Sequence, residues 1–138
     1  MQLLFPKKVK YSKQHRGRLK NNTIDPIILK NGEFGLTSMN SVWLSSKQIE
    51  SARKILAKAT KKSGQFWINV FPDKPITMRV PESRMGSGKG NVKYWVAVVK
   101  KGIILFELKG LSPIISINLL KTISYKLPLK TKIINNII

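Results

Sequence analysis

The chain contains no cysteine and one histidine, and only 6 of its 138 residues are Asp or Glu. Without cysteine it cannot form disulfide bonds or thiolate metal sites, and one histidine cannot build a histidine-rich metal centre. General acid–base catalysis needs carboxylates held together in a cleft, whereas the acids here are scattered along the chain with no close pair. The sequence therefore predicts no metal, no cofactor and no enzymatic activity.

Long apolar runs are also missing. No segment approaches the ~20 consecutive apolar residues of a transmembrane helix. The chain begins with only Leu3, Leu4 and Phe5 before a proline and two lysines, which is not a signal-peptide core. We therefore expect a soluble protein that is not exported, and the hydrophobic content of 42% is enough for one folded domain.

Positive charge is what the chain has in excess. It carries 26 Lys and Arg residues, which gives a net charge of +20. A core of this size cannot hold them, so most must lie on the surface, where they repel one another. A polyanion such as RNA or DNA relieves that repulsion and is the predicted partner. The abundance of Lys, Ile and Asn, the amino acids of AT-rich codons, indicates an AT-rich genome such as that of an organelle.

Residues 1–22 form a basic N-terminal arm ahead of a single domain, residues 23–138. The apolar content of the arm is too low and too irregular for a stable helix, so we interpret it as an extended segment that its partner orders. A frayed terminus is the alternative, against which the rings of Phe5 and Tyr11 argue. The arm residues predicted to bind RNA are Lys7, Lys8, Lys10, Lys13, His15, Arg16 and Arg18.

A helix is predicted over residues 45–63, ended by Gly64. Ser45 and Gln48 match a capping box, and Glu50 precedes Lys54 by the four residues that favour an ion pair. The face predicted to be buried consists of Ile49, Ala52, Leu56 and Ala59. A second, charged stripe consists of Lys47, Lys54, Lys58 and Lys61. This stripe is either a solvated face or an RNA contact, and Lys54, Lys58 and Lys61 are the residues predicted to bind RNA.

The rest of the domain is predicted to contain short strands and a second helix. The predicted strands are residues 34–39, 66–71, 76–80, 92–99, 103–108 and 130–134, with a turn at 72–75. The turn at residues 100–102 predicts a hairpin between the strands on either side of it. Ser112 and Pro113 open the second helix, which ends by Pro128. Its predicted inner face is Ile114, Ile117, Leu120 and either Ile123 or Ser124.

Residues 84–90 combine three glycines at alternate positions with Arg84 and Lys89. Such a backbone can approach a ligand closely and adopt positive φ at little steric cost. The segment is not a P-loop, which would need Gly at position 83 and Ser or Thr at 90, and a dinucleotide fingerprint would need Gly at 91. We interpret it as a phosphate-contacting loop, with a merely flexible connector as the alternative. Its predicted site residues are Arg84, Met85, Gly86, Ser87, Gly88, Lys89 and Gly90.

The type of cation favours RNA over sequence-specific DNA. Lysine is a point charge poorly suited to reading base edges, so these residues indicate recognition of RNA shape and backbone. A free-standing RNA chaperone is an alternative function, and a small phosphate-ester enzyme is a less favoured one.

Three segments resemble the L-sixteen family of large-subunit ribosomal proteins from bacteria and organelles, and the likeness extends over nearly the whole chain. They are Phe71-Pro72-Asp73-Lys74-Pro75-Ile76-Thr77, residues 84–90, and Tyr94-Trp95-Val96-Ala97. The resemblance implies an α+β fold of the hammerhead type, with two helices on a mainly antiparallel sheet. Asn69 departs from it, because the family usually has Arg there, and this removes one expected phosphate contact.

The resemblance also implies a function and partners. It implies binding to large-subunit rRNA between the central protuberance and the peptidyl-transferase centre, with residues 84–90 near tRNA and a role in seating A-site tRNA. The implied partners are rRNA, tRNA and neighbouring ribosomal proteins, with no membrane and no homo-oligomer. We expect the mitochondrial ribosome in the matrix, with the plastid stroma as the alternative and an AT-rich bacterium as a third possibility.

Overall fold

The computed structural model describes residues 4–19 and 28–136. The end of the predicted arm at residue 22 and the last two residues of the chain lie outside the described residues. The helices and strands in chain order are β1 (Phe34–Ser38), β2 (Val42–Ser45), α1 (Ser46–Thr60), β3 (Gln65–Ile68), β4 (Lys74–Met78), β5 (Asn91–Val99), β6 (Ile104–Lys109), α2 (Pro113–Ser124) and β7 (Thr131–Asn135). The predicted α+β class is confirmed.

The strands of the described part of the chain form two antiparallel sheets. One has the order β3-β6-β1-β7 and the other β2-β5-β4. The predicted hairpin between residues 92–99 and 103–108 is wrong, because β5 and β6 lie in different sheets. Past the turn, Gly102 N–H donates to the Ser38 carbonyl at 2.8 Å and Ser38 N–H donates to the Ile103 carbonyl at 2.9 Å, so the chain continues along β1. A turn sequence specifies that the chain bends, and packing chooses the strand that it then joins.

Two predicted strands differ from the observed ones by more than one residue at an end, and β2 was not predicted. The strand predicted over residues 66–71 ends at Ile68, although Asn69 N–H still donates to the Leu105 carbonyl at 3.0 Å. The chain then leaves the sheet before Pro72, which has no N–H to donate. The turn predicted at residues 72–75 is shorter than expected, since β4 already begins at Lys74 and ends at Met78.

Helix α1 begins with the predicted capping box. Gln48 N–H donates to the Ser45 hydroxyl at 3.4 Å, and Ser45 N–H donates to the Gln48 side-chain oxygen at 2.9 Å. Ile49, Ala52 and Leu56 are fully buried, as predicted. Ala59 is exposed, so its predicted burial is wrong. Ala59 lies on the same side of the helix as these residues, but the buried core ends at Leu56, before the last turn of α1.

The acidic residue of α1 is paired differently from the prediction. Arg53, not Lys54, forms the ion pair with Glu50, through two contacts of 2.7 Å. The planar guanidinium matches both carboxylate oxygens, which a lysine ammonium cannot do. Lys54 contributes only a longer-range attraction that helps to lower the pKa of Glu50.

Helix α2 buries Leu120 and Ile123 as predicted, but it does not bury Ile114. Its buried residues are Ser116, Leu120 and Ile123, whereas Ile114 is 74% exposed. Ile117 is half-buried. The sequence of α2 is apolar nearly all round, so periodicity fits more than one face and the prediction for Ile114 was wrong.

The core lies where both helices meet the sheets. Helix α1 packs against β2, β3 and β5, α2 packs against β1 and β7, and the two helices contact each other. The central residues are Phe34, Leu36, Leu44, Leu56, Phe106 and Leu120. In the described ranges, neither helix has the length and hydrophobicity needed to cross a membrane. The second sheet is left with one face away from this core.

Candidate nucleic-acid interface

The glycine-rich loop connects β4 to β5, which pair as an antiparallel hairpin. Gly86 and Gly88 have φ of 91° and 84°, and a Cβ added to either would meet no atom within 4 Å. Their positive φ values are the reason for glycine at these positions, while the space around them is open. Gly90 serves another purpose, because a Cβ there would lie 2.2 Å from the Met78 carbonyl oxygen. The loop is thus closely packed at its base and open at its tip.

The tip presents its side chains to solvent. Arg84, Met85 and Ser87 are exposed, Met85 by 88%. The Ser87 hydroxyl donates to the Arg84 carbonyl at 3.3 Å, and the Arg79 guanidinium donates to the Ser83 carbonyl nearer the base. The Arg84 guanidinium is therefore carried on a locally hydrogen-bonded turn and is accessible to a ligand.

Lys89 is held by the arm. Its ammonium donates to the Gln14 carbonyl, and the Lys13 ammonium donates to the Lys89 carbonyl at 2.8 Å. These reciprocal bonds place the arm beside the base of the loop. Arg84 and Lys89, which the sequence analysis treated alike, thus have different surroundings.

The described part of the arm has neither helix nor strand, and it lies against the domain. Leu4 packs on the core, and the Lys74 ammonium donates to the Arg16 carbonyl. These contacts argue against a frayed terminus. Lys13 is half-buried, and the other predicted arm residues are exposed, namely Lys7, Lys8, Lys10, His15, Arg16 and Arg18. Lys20, a further cation of the arm, lies outside the described residues.

The charged stripe of α1 is exposed along its length, at Lys47, Lys54, Lys58 and Lys61. The start of the arm reaches this helix, since Phe5 and Lys7 line one surface depression together with Glu50 and Arg53. The arm thus lies beside α1 at one end and beside the glycine-rich loop at the other. The structure brings these three predicted regions onto connected surface.

A cation–aromatic cluster that was not predicted from the sequence lies beside the arm. The Lys74 ammonium lies 4.9 Å from the centroid of the Trp43 ring, and the Arg16 guanidinium carbon lies 5.9 Å from it. Both distances fit cation–π attraction. Trp43 comes from β2 and Lys74 from β4, which are joined only through β5. The sequence indicated only that a tryptophan occurs in a strongly basic chain. Which cations lie next to Trp43 depends on the strand order.

Glu107, a buried carboxylate on β6 of the first sheet, joins three separate segments of the chain through hydrogen bonds. It accepts hydrogen bonds from Asn31 N–H at 2.8 Å, from Gly32 N–H at 2.7 Å and from the Asn69 amide at 2.6 Å. Burial alone raises the pKa of Glu107, but these bonds and one from Lys30 N–H outweigh it and hold the pKa below 4.5. Asn69 therefore has a structural role as a hydrogen-bond donor to Glu107. This role is separate from the phosphate contact expected of the arginine that the family usually has at this position.

Internal pairing leaves the surface even more positive than the composition implies. Glu107 and Glu50 are buried with partners, so the exposed acids among the described residues are Glu33, Asp73 and Glu82. In the same ranges, no three acidic or histidine side chains are close enough to hold a metal ion. The exposed charge on the described surface is therefore predominantly positive.

Comparison with known proteins gives consistent matches over almost the whole chain. A model of the family described as ribosomal protein L16p/L10e matches residues 6–134. The "Large ribosomal subunit protein uL16c" of Emiliania huxleyi is 51% identical over 133 residues, which cover 96% of each chain. The protein of the same name from Euglena longa is 52% identical over 132 residues, covering 96% of this chain and 98% of its own. These names denote chloroplast proteins, so the comparisons do not support the mitochondrion that we expected and favour the plastid alternative.

Proposed function

Because the chain belongs to the ribosomal protein L16p/L10e family, we propose that it binds large-subunit rRNA near the peptidyl-transferase centre of a plastid ribosome and helps to position A-site tRNA. Family membership makes it a structural component of the large ribosomal subunit and not an enzyme. The alternative of a phosphate-ester enzyme is therefore wrong. Its family also implies binding to rRNA and to other ribosomal proteins.

The observation that carries the proposal is the joining of the basic arm to the glycine-rich loop through Lys13 and Lys89. Each region alone is a cluster of cations on irregular backbone. Held together, they form one surface. The cations of the arm can contact successive phosphates of an RNA backbone, and the tip of the loop projects from the same surface into solvent. Phosphate contacts position such a protein on RNA, and the released counterions supply much of the affinity.

The rRNA contacts are assigned to the exposed cations of the arm and of α1. Lys7 lies beside α1, and Lys8 and Lys10 follow it along the arm. Lys54, Lys58 and Lys61 are exposed on the helix itself. Because lysine makes point-charge contacts, this surface is suited to phosphates rather than base edges. His15, Arg16 and Arg18 are further exposed cationic or titratable residues of the arm, beyond its contact with the loop at Lys13 and Gln14.

The tRNA contact is assigned to the loop tip. Arg84 and Met85 are exposed there, and Gly86 and Gly88 leave space for close approach of a second molecule. The packed base of the loop at Gly90 fixes where the tip projects. The tip of the loop is thus the part assigned to tRNA. The arm and α1 are the anchor, that is, the parts assigned to rRNA.

The proposed compartment and oligomeric state follow from the relatives and the charge. The relatives named above are chloroplast proteins, which supports the plastid over the mitochondrion. A net charge of +20 opposes association between copies of the chain. We therefore expect a monomer outside the ribosome.

Sedimentation of tagged protein from fractionated cells tests the proposal. We expect it to migrate with large subunits of the plastid fraction and to stay with them through a moderate-salt wash. Co-migration with free RNA alone would favour the RNA chaperone. Recovery in mitochondrial particles would overturn the compartment.

A further inference from the structure

A cleft of about 370 Å³ opens beside the glycine-rich loop, on the face of the second sheet that lies away from the core. Tyr94 of β5 stands opposite Ile76 of β4, and Trp43 of β2 stands opposite Val98 of β5. Since side chains alternate along a strand, Tyr94 and Val98 share one face with their partners. The residues that line it include Tyr94, Trp43 and Ile76 of the sheet, Gln14 and Arg16 of the arm, and Lys89 of the loop.

The arm forms one wall of this cleft. Lys74 donates to the Arg16 carbonyl, and Lys89 donates to the Gln14 carbonyl. Both bonds run from the hairpin to the arm backbone, so Arg16 and Gln14 are held against the sheet. The cleft exists in the protein alone and needs no partner to form it.

The lining is aromatic and cationic, with no acid. The ring of Tyr94 belongs to a residue that is 47% exposed, while Trp43 already lies under two cations. Arg16 and Lys89 supply positive charge, and Thr77 and Gln14 supply neutral hydrogen-bonding groups. A matching ligand has a planar ring to stack on the tyrosine, negative charge to pair with the two cations, and polar groups at the ring edge to hydrogen-bond with Thr77 and Gln14.

We propose that the cleft holds one unpaired RNA nucleotide, with its base stacked on Tyr94 and its phosphate beside Arg16 and Lys89. The proposal rests on the RNA-binding function proposed above. The volume is near the lower end of the ~300–1,000 Å³ typical of small-ligand pockets, so it admits a single nucleotide and not a helix. Bases in a duplex keep their faces stacked, and only an unpaired base can offer one to an aromatic ring.

Binding of RNA containing 2-aminopurine tests this inference. The full-length protein is titrated with a single-stranded oligonucleotide and with the duplex of the same sequence, and the stacking of the base is followed by fluorescence quenching. We expect Tyr94→Ala to weaken single-strand binding about tenfold and to abolish the quenching, with duplex binding unchanged. Tyr94→Phe keeps the ring and should behave as wild type.

Two control variants show whether a loss of binding comes from the missing Tyr94 ring. One tests the effect of removing a tyrosine elsewhere, and the other tests the effect of poor folding. Tyr125→Ala removes a tyrosine that is 87% exposed outside the cleft, and it should change nothing. Tyr94→Leu keeps an apolar side chain opposite Ile76 but no ring, so it should reproduce the loss even if Tyr94→Ala folds poorly. Unchanged single-strand affinity and quenching in Tyr94→Leu would overturn the inference.

The source of the nucleotide is decided by two further RNAs. One is tRNA with and without its single-stranded 3′ end, and the other is protein-free large-subunit rRNA. A Tyr94→Leu defect with either supports the site and identifies its ligand, and a defect with neither overturns it. If salt-dependent RNA binding persists without any Tyr94 effect, only this inference fails, whereas loss of all salt-dependent RNA binding would count against the proposed function itself.

Discussion

Lys13 donates a hydrogen bond of 2.8 Å from its ammonium to the carbonyl oxygen of Lys89, which lies 76 positions further along the chain. Lys89 in turn donates to the carbonyl of Gln14. The basic arm and the glycine-rich loop are therefore one structural unit. This relationship determines what substitutions in either region should do.

Arg84→Ala and Lys89→Ala should both weaken A-site tRNA binding by about fivefold to tenfold, because charged hydrogen bonds contribute ~1.5–3 kcal/mol, of which part is retained by neighbouring groups. Association with the large subunit should be preserved in Arg84→Ala, since Arg84 lies at the tip and the tip is not the anchor. Filter binding of tRNA to reconstituted particles measures the effect, with Lys100→Ala, an exposed cation outside the loop, as control. Only Lys89→Ala should also speed amide exchange at residues 13–16. Wild-type tRNA binding in both variants would contradict the assignment of the loop.

Replacing Lys7, Lys8 and Lys10 together with Gln should flatten the dependence of log affinity for rRNA on log salt concentration by about 2 units, since each phosphate contact contributes ~0.7–0.9. Substitution is preferable to deletion because Leu4 packs on the core. The matched control replaces Lys126, Lys130 and Lys132, which are also exposed but lie at the other end of the chain. Equal slopes in the two triple variants would mean that the arm has no special part in binding.

Glu107→Gln should destabilise the fold by about 2 kcal/mol at neutral pH, because buried backbone donors lose a charged acceptor. The folded pKa of Glu107 lies below 4.5, so its stabilising effect is complete above pH 4.5 and is lost as the pH falls through the folded pKa. Urea denaturation should therefore show a difference between wild type and variant that shrinks in acid. Glu82→Gln, at an exposed carboxylate, should show no difference at either pH. A deficit that is independent of pH would rule out this explanation.

Gly90→Ala should lower the stability of the domain by about 1–3 kcal/mol, the range for overpacking, since its Cβ would lie 2.2 Å from the Met78 carbonyl oxygen. Ser87→Ala is the control. It removes only an exposed hydroxyl at the tip of the loop and adds no atom that could clash. Thermal unfolding should separate the two variants, and equal midpoints would contradict the distinction between loop base and tip.

Local features of the fold were predictable from the sequence. The capping box of Ser45 and Gln48 and the positive φ of Gly86 and Gly88 depend on a few neighbouring residues. The buried stripe of α1 was predicted except at Ala59, because charged residues on the other side make its period unambiguous. In α2, with apolar residues nearly all round, the same reasoning misplaced Ile114.

Long-range relationships were not predictable in this way. Glu107 was one acid among six in the sequence, and its burial against Asn31, Gly32 and Asn69 depends on three separate segments meeting. The pairing of Glu50 with Arg53 rather than Lys54 was decided by guanidinium geometry. The cluster of Trp43, Lys74 and Arg16 depends on the strand order β2-β5-β4.

The sequence by itself determined that this protein is a cationic α+β domain suited to a polyanion, because charge, periodicity and capping are properties of the chain at short range. The tertiary structure decided that β5 and β6 separate into two sheets and that the arm closes against the glycine-rich loop. Those choices rest on contacts such as Gly102 with Ser38 and Lys13 with Lys89, between residues far apart along the chain. Their physical basis is competition among many possible partners for the same backbone and side-chain groups, which only complete packing resolves.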